Sequence, residues 1–171
     1  MESAYIQSIR AMLEQAIEIT RPSILRLIET QTTGGRNGLW VVCAHKIDVS
    51  DSSLETFARS VLVSQTVCGL KEPRQTWKHN FDEMAQKKTF VAWRNEMEDA
   101  DVHLRYPYLL RPGDPKFYGA TWVPKIAIGC SGFQMYMDLI ASRMVAQAFL
   151  ALSQRMLEVE VTEFPEKSFI R

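Results

Sequence analysis

Three ionisable residues of complementary kinds stand two apart within Asp99-Ala-Asp-Val-His-Leu-Arg-Tyr-Pro-Tyr108. Side chains of an extended strand alternate with a period of two, so Asp101, His103 and Arg105 would share one face. A carboxylate, an imidazole and a guanidinium in a row can orient a proton-transfer group and bind an acidic substrate. Tyr106 and Tyr108 would share the other face, to stack on a ligand or to bury in the core. Tyr108 joins Asp101, His103 and Arg105 as a catalytic candidate, and Tyr106 is a candidate ligand contact. The plainer reading is a solvated edge strand with ordinary ion pairs, which need no special purpose.

A second constellation is Gly129-Cys-Ser-Gly132, a turn between an apolar run and a helical one. Its backbone N–H groups, with Ser131 and Gly132, could hold an anion at a helix start. Alternatively Ser131 simply caps the helix. The hydrolase pattern sets its serine as G-x-S-x-G; here the phrase is G-C-S-G, and no Asp-then-His pair follows it. The histidines His45, His79 and His103 have neither HxxxH nor HxH spacing and no cysteine cluster beside them, so no metal site is expected. His45 ends an apolar run where a pocket mouth would lie. A haem ligand or an acid/base group fits there, as does a bland surface histidine. Trp122, with Trp40, Trp77, Trp93, Phe117 and Tyr118, could line an apolar ligand pocket or pack the core. Methionines of the last helix (Met135, Met137, Met144, Met156) divide the same way.

The elements that must position these residues read as α/β, of the α+β kind. Ala4–Glu29 carries Ile6, Ile9, Leu13, Ala16 and Ile17 at helical spacing, interrupted by Thr20-Arg-Pro22, so one kinked helix or two are expected. Gln31–Gly38 reads as a loop and Leu39–His45 as a buried strand. Asp48–Ser53 offers N-caps to a helix over Leu54–Cys68, buried through Leu54, Phe57, Ala58, Val61, Leu62, Gln65 and Cys68. Gly69 and Pro73 would end it. Trp77–Met97 supplies one or two helices, and Val102–Leu110, with Pro107, an edge strand or extended loop. Arg111–Pro115 is a turn. Ala120–Cys130 is a second strand with Pro124 at a bulge or edge. A last helix over Phe133–Leu157 would bury Tyr136, Ile140, Met144, Ala148 and Leu152, leaving a frayed tail over 158–171.

Composition bounds the function. The 171 residues suit one domain, spanning 1–171. Twenty basic and twenty acidic residues cancel, so neither nucleic acid nor an anionic membrane is an expected partner. No apolar run approaches the roughly 18 residues of a membrane span, and no secretory signal is visible. Three cysteines without metal spacing suggest reduced thiols and a cytoplasmic setting.

Ile126-Ala-Ile-Gly-Cys-Ser-Gly132 resembles the strand-turn of the GlcG/HbpS-like superfamily, the haem-degrading-domain and PduO C-terminal-like proteins, where a phrase close to "gaIGvSG" precedes the last helix. Ser53-Leu-Glu-Thr-Phe-Ala-Arg-Ser-Val-Leu-Val-Ser-Gln-Thr66 is similar to that family's helix beginning "SidiA", and the resemblance covers about Ser8 to Leu152. It implies an antiparallel sheet flanked by helices, profilin-like, with a long C-terminal helix. It also implies a small-molecule or haem pocket, and with it a homo-oligomer is expected. The chain lacks the family's "DaGG" hairpin after the first strand and its "GGGiPi" phrase, carrying Arg105–Gly113 there instead. With no nucleotide fingerprint, metal motif or nucleophile triad, two functions are expected. One is a small-molecule-binding protein with cofactor-free acid/base catalysis of isomerase, cyclase or lyase type. The other is a haem-binding or haem-degrading accessory protein.

Overall fold

A computed structural model describes residues 3–30, 36, 38–47, 50–69 and 79–163. Most of the expected Gln31–Gly38 loop, Asp48, Pro73, Trp77 and the tail beyond 163 lie outside these. The elements are α1 (Ala4–Glu29), β1 (Leu39–His45), α2 (Leu54–Ser60), β2 (Val61–Cys68), α3 (Phe81–Asn95), α4 (Asp99–Leu104), a 3₁₀ turn (Pro107–Leu109), β3 (Ala120–Val123), β4 (Ile126–Ser131) and α5 (Met135–Glu163). The strands form one antiparallel sheet in the order β2-β1-β4-β3. The expected antiparallel sheet flanked by helices, with a long C-terminal helix, is present.

Alternation along β1 and β4 decides what each face meets. Leu39, Val41, Cys43, Ile126, Ile128 and Cys130 join α1 and α5 in the larger core. Ala44, Ala120 and Ala127 turn the other way and pack with Trp93 and Ala92 of α3 and Phe57 of α2. Small residues there let α3 approach closely. At Gly129 an added Cβ would lie 2.2 Å from Thr89 Oγ1 and 3.0 Å from Thr89 N. The glycine of the Gly-Cys-Ser-Gly phrase is therefore the seat of a helix.

Of the two alternatives for Ala4–Glu29, the structure has one helix: α1 runs through Pro22, and the Thr20 hydroxyl bonds back to Ala16 O (2.8 Å) rather than capping a new start. Several other expectations need correction. The helix expected over Leu54–Cys68 stops at Ser60. From Val61 the β-branched residues pair with β1 (Val63 with Cys43, Val61 with Ala44), a tertiary partner that overrides helical spacing. Leu54, on the expected buried stripe, is 65% exposed. Ser53 does cap α2, accepting the Thr56 N–H at 3.2 Å. Ala120–Cys130 is a hairpin, not one strand: Pro124 and Lys125 (φ 68) make the turn, proline being followed by a positive φ as in a type II turn. Val102–Leu110 is not a strand: it holds the end of α4 and the 3₁₀ turn Pro107–Leu109, and the buried Asp99 carboxylate at the start of α4 accepts the N–H groups of Gly119 (2.9 Å) and Ala120 (2.8 Å). α5 runs on to Glu163. It buries Met137, Ala141, Val145 and Phe149, one residue round from the expected stripe, and leaves Tyr136 and Ile140 exposed. Among the described residues, Met135–Val159 alone is long and apolar enough to cross a membrane by length and composition; this inward face packs in the core with β4 and α1.

Candidate functional site

β4 ends on the α3 side of the sheet at Ser131, and the chain must turn sharply into α5. Gly132 makes the turn with φ 147, a conformation favouring glycine, and an added Cβ would lie 1.9 Å from Gly38 O. The Phe133 N–H then donates to Asp138 Oδ1 at 2.8 Å, so a carboxylate in the first turn of α5 satisfies the entering backbone. Asp138 Oδ2 lies 2.7 Å from Lys88 Nζ, and both residues are almost wholly buried, 1% and 2% exposed. Lys88 also donates to Cys130 O at 3.3 Å. Burial pushes the Asp138 carboxyl above its ordinary range, and Lys88 pulls against that shift. Gly119 leaves room for the pair: a Cβ there would meet Asp138 Cβ at 2.7 Å and Lys88 Nζ at 2.9 Å.

These groups form the floor of a groove of about 770 Å³ between α3 and the Ser131–Tyr136 segment. Phe81, Met84, Phe117 and Tyr136 supply apolar walls. Ser131 is 4% exposed and lines the groove, and its hydroxyl has no hydrogen-bond partner among the described residues. It does not cap α5, which begins four residues later. Arg36 also lines the groove and donates to Phe133 O. A carboxyl with raised proton affinity, an ammonium and a hydroxyl thus converge below aromatic walls. Such a set can hold an oxygen-bearing ligand and move a proton.

The groove collects Ser131 and Gly132, with Phe117 from the aromatic set and Met135 from the methionine set. The candidate catalytic residues and the other candidate ligand contacts lie elsewhere. Because Asp101, His103 and Arg105 sit on α4 and its end, not on a strand, the three do not share one face: His103 turns away from the other two. Asp101 and Arg105 make an exposed i,i+4 pair at 3.3 Å. The His103 ring turns inward, its nitrogens 2.7 Å from Asp99 O and 2.9 Å from Pro115 O, and so ties α4 to the segment before β3. Tyr106 and Tyr108 meet edge-on at the surface (ring centroids 6.3 Å). His45 is buried at the end of β1 against Tyr5, its Nδ1 without a partner among the described residues, its pKa lowered by burial and by Lys125. Trp122 packs beside the α3 core. None of these lines the groove.

Lys88 and Asp138 were missed. Lys88 sits in Gln86-Lys-Lys-Thr89, which reads as solvated surface. Asp138 did leave a signal: an acid within an apolar helix, six residues beyond Gly132. Among the described residues no group of three or more His, Cys, Asp or Glu converges as a metal site would. No family of known proteins, no curated protein and no solved structure matches the chain.

Proposed function

We propose that this chain is a small-molecule-binding protein of the GlcG/HbpS-like kind. Its ligand, a small organic metabolite carrying a carboxylate or carbonyl oxygen, occupies the groove beneath Phe117 and Tyr136. The observation that supports this is the buried Lys88–Asp138 pair in the groove floor. Withdrawing two ions from water costs several kcal/mol per ion, and apolar residues would fill the space without that cost; the pair makes chemical sense where a ligand uses it. Asp138 exchanges a proton with the ligand, Lys88 stabilises negative charge developing on the ligand oxygen, and Ser131 orients that oxygen. This is cofactor-free acid/base chemistry of isomerase, cyclase or lyase type. The same reading has the chain self-associate through exposed apolar side chains of α1 and α5, such as Ile19 and Leu157, which light scattering would detect.

The test is a thermal-shift and NMR screen of small carboxylates and ketones against wild type, Ser131→Val, Asp138→Asn and Tyr136→Ala. Tyr136 is exposed, so its variant keeps the wild-type melting temperature. A groove ligand binds more weakly to both Ser131→Val and Tyr136→Ala, and Asp138→Asn binds it without turnover. A ligand held equally well by all four proteins refutes the assignment.

A further inference from the structure

A second hollow, of about 860 Å³, opens on another flank of α3, between α2 and the Arg111–Asp114 turn. Glu83 and Lys87, paired at 2.9 Å, form the ridge between it and the groove. Its floor is aromatic: the Phe57 and Phe90 rings lie 5.1 Å apart, backed by Trp93. Its rim is built and charged. The buried Arg94 guanidinium forks onto Asp114 at 3.2 and 2.8 Å, with its carbon 5.2 Å from the Phe90 ring centre. Asp114 also accepts the Arg111 N–H at 2.7 Å, which fixes the turn.

That arrangement leaves one charge over. Glu83 matches Lys87, and Asp114 matches Arg94. The Arg111 guanidinium lines the hollow and makes no hydrogen bond or ion pair within 4.0 Å among the described residues, its charge reaching Asp114 only from further off. Beside it Gly113 has no atom within 4 Å of where a Cβ would stand, so the mouth is open. An aromatic floor, its Phe57 and Phe90 rings inclined at 53°, with a planar cation free of hydrogen bonds at its edge suits a ligand that carries an aromatic ring and an anionic group. Rings stack on Phe and on guanidinium planes, and a carboxylate takes two parallel N–H bonds from arginine.

We infer that this hollow is a second binding site, for a small planar aromatic carboxylate. The inference does not depend on the groove described above, because it shares none of that site's floor. The test is titration with 2-naphthoate followed by NMR, against Arg111→Glu, Leu54→Asp and Tyr136→Ala. Arg111 and Leu54 are exposed on the rim, so melting temperatures should match wild type. Saturable binding is expected, weakened at least about tenfold by Arg111→Glu, weakened also by Leu54→Asp, and unaltered by Tyr136→Ala. The uncharged 2-naphthalenemethanol should bind about tenfold more weakly than the acid. No saturable binding, a loss below about threefold in Arg111→Glu, or a loss in Tyr136→Ala alone overturns the assignment.

Discussion

Replacing Gly129 by alanine tests how α3 sits on the sheet. The new methyl carbon would stand 2.2 Å from Thr89 Oγ1, 3.0 Å from Thr89 N and 3.1 Å from Ala85 O. Relief of the first contact needs about 1 Å of movement, since carbon contacts relax near 3.5 Å. The other two contacts are backbone, so the whole helix must lift. A gap of that size forfeits a quarter to a half of the dispersion energy of each pair it opens, and overpacking of this kind costs about 1–3 kcal/mol. Alanine's smaller unfolded-state entropy offsets about 0.4–1 kcal/mol. The net expectation is a loss of about 1.3 kcal/mol, or roughly 3–5 °C in melting temperature. Thr89→Ala alone removes the hydrogen bond to Ala85 O (2.7 Å) and a little volume, costing about 1 kcal/mol. Together the two changes should cost less than their sum by about 1 kcal/mol, because the worst contact is gone. Urea unfolding followed by the fluorescence of buried Trp93 measures all three variants. A Gly129→Ala protein within about 0.5 kcal/mol of wild type, or strict additivity with Thr89→Ala, would refute the close seat.

Lys88→Met leaves Asp138 buried without its cation and should cost about 3–5 kcal/mol, whereas Lys88→Met with Asp138→Leu recovers part of that loss; calorimetry of both variants decides it. The Asp99 carboxyl is pushed up to about 7 by burial, against the N–H bonds of Ala120 and Gly119 and the charges of Lys88 and His103. The folded state therefore holds this proton more tightly than the unfolded chain, so its stabilisation is complete below about pH 4 and is lost as pH rises through 7, by on the order of 4 kcal/mol. Urea midpoints should fall from pH 5 to pH 8 in wild type and fall less in Asp99→Asn; His45 works in the opposite direction in both proteins, and an equal slope in the two contradicts the assignment. Cys43, Cys68 and Cys130 are buried, and burial raises their thiols, to about 11 for Cys68 and about 12 for Cys130. Native protein at pH 8 should react slowly with a thiol reagent and release all three groups in denaturant; one fast thiol in the native state would show an opening that reaches the sheet.

What could be read from sequence follows from how local each cause is. β1 announces itself as an apolar, β-branched run, and the Ser131–Gly132 turn marks the way into α5. Pro124-Lys125 concealed a hairpin, because lysine is not the usual residue at a positive φ. Val61–Cys68 carries apolar residues compatible with helix, and only pairing with β1 decides for strand. α5 is apolar nearly all round, so periodicity alone could not choose its inner face; Asp138 and Ser142, both buried, mark it. The groove was half legible for the same reason. Its turn is contiguous in sequence, while Lys88 and Asp138 lie fifty positions apart and meet only because Gly119 and Gly129 let their elements close.

The seating of α3 has a consequence for how the two cavities communicate. The helix is pinned at Gly129 by contact, at Lys88 by an ion pair and at Arg94 by a fork, with one cavity on either side of the ridge between Glu83 and Lys87. A rod held at three points along its length cannot trade volume from one flank to the other. Occupancy of one cavity should then leave affinity in the other unchanged, a coupling free energy near zero and, by reciprocity, the same from either direction. Loosening the pin with Gly129→Ala would be the way to make two independent sites speak to each other.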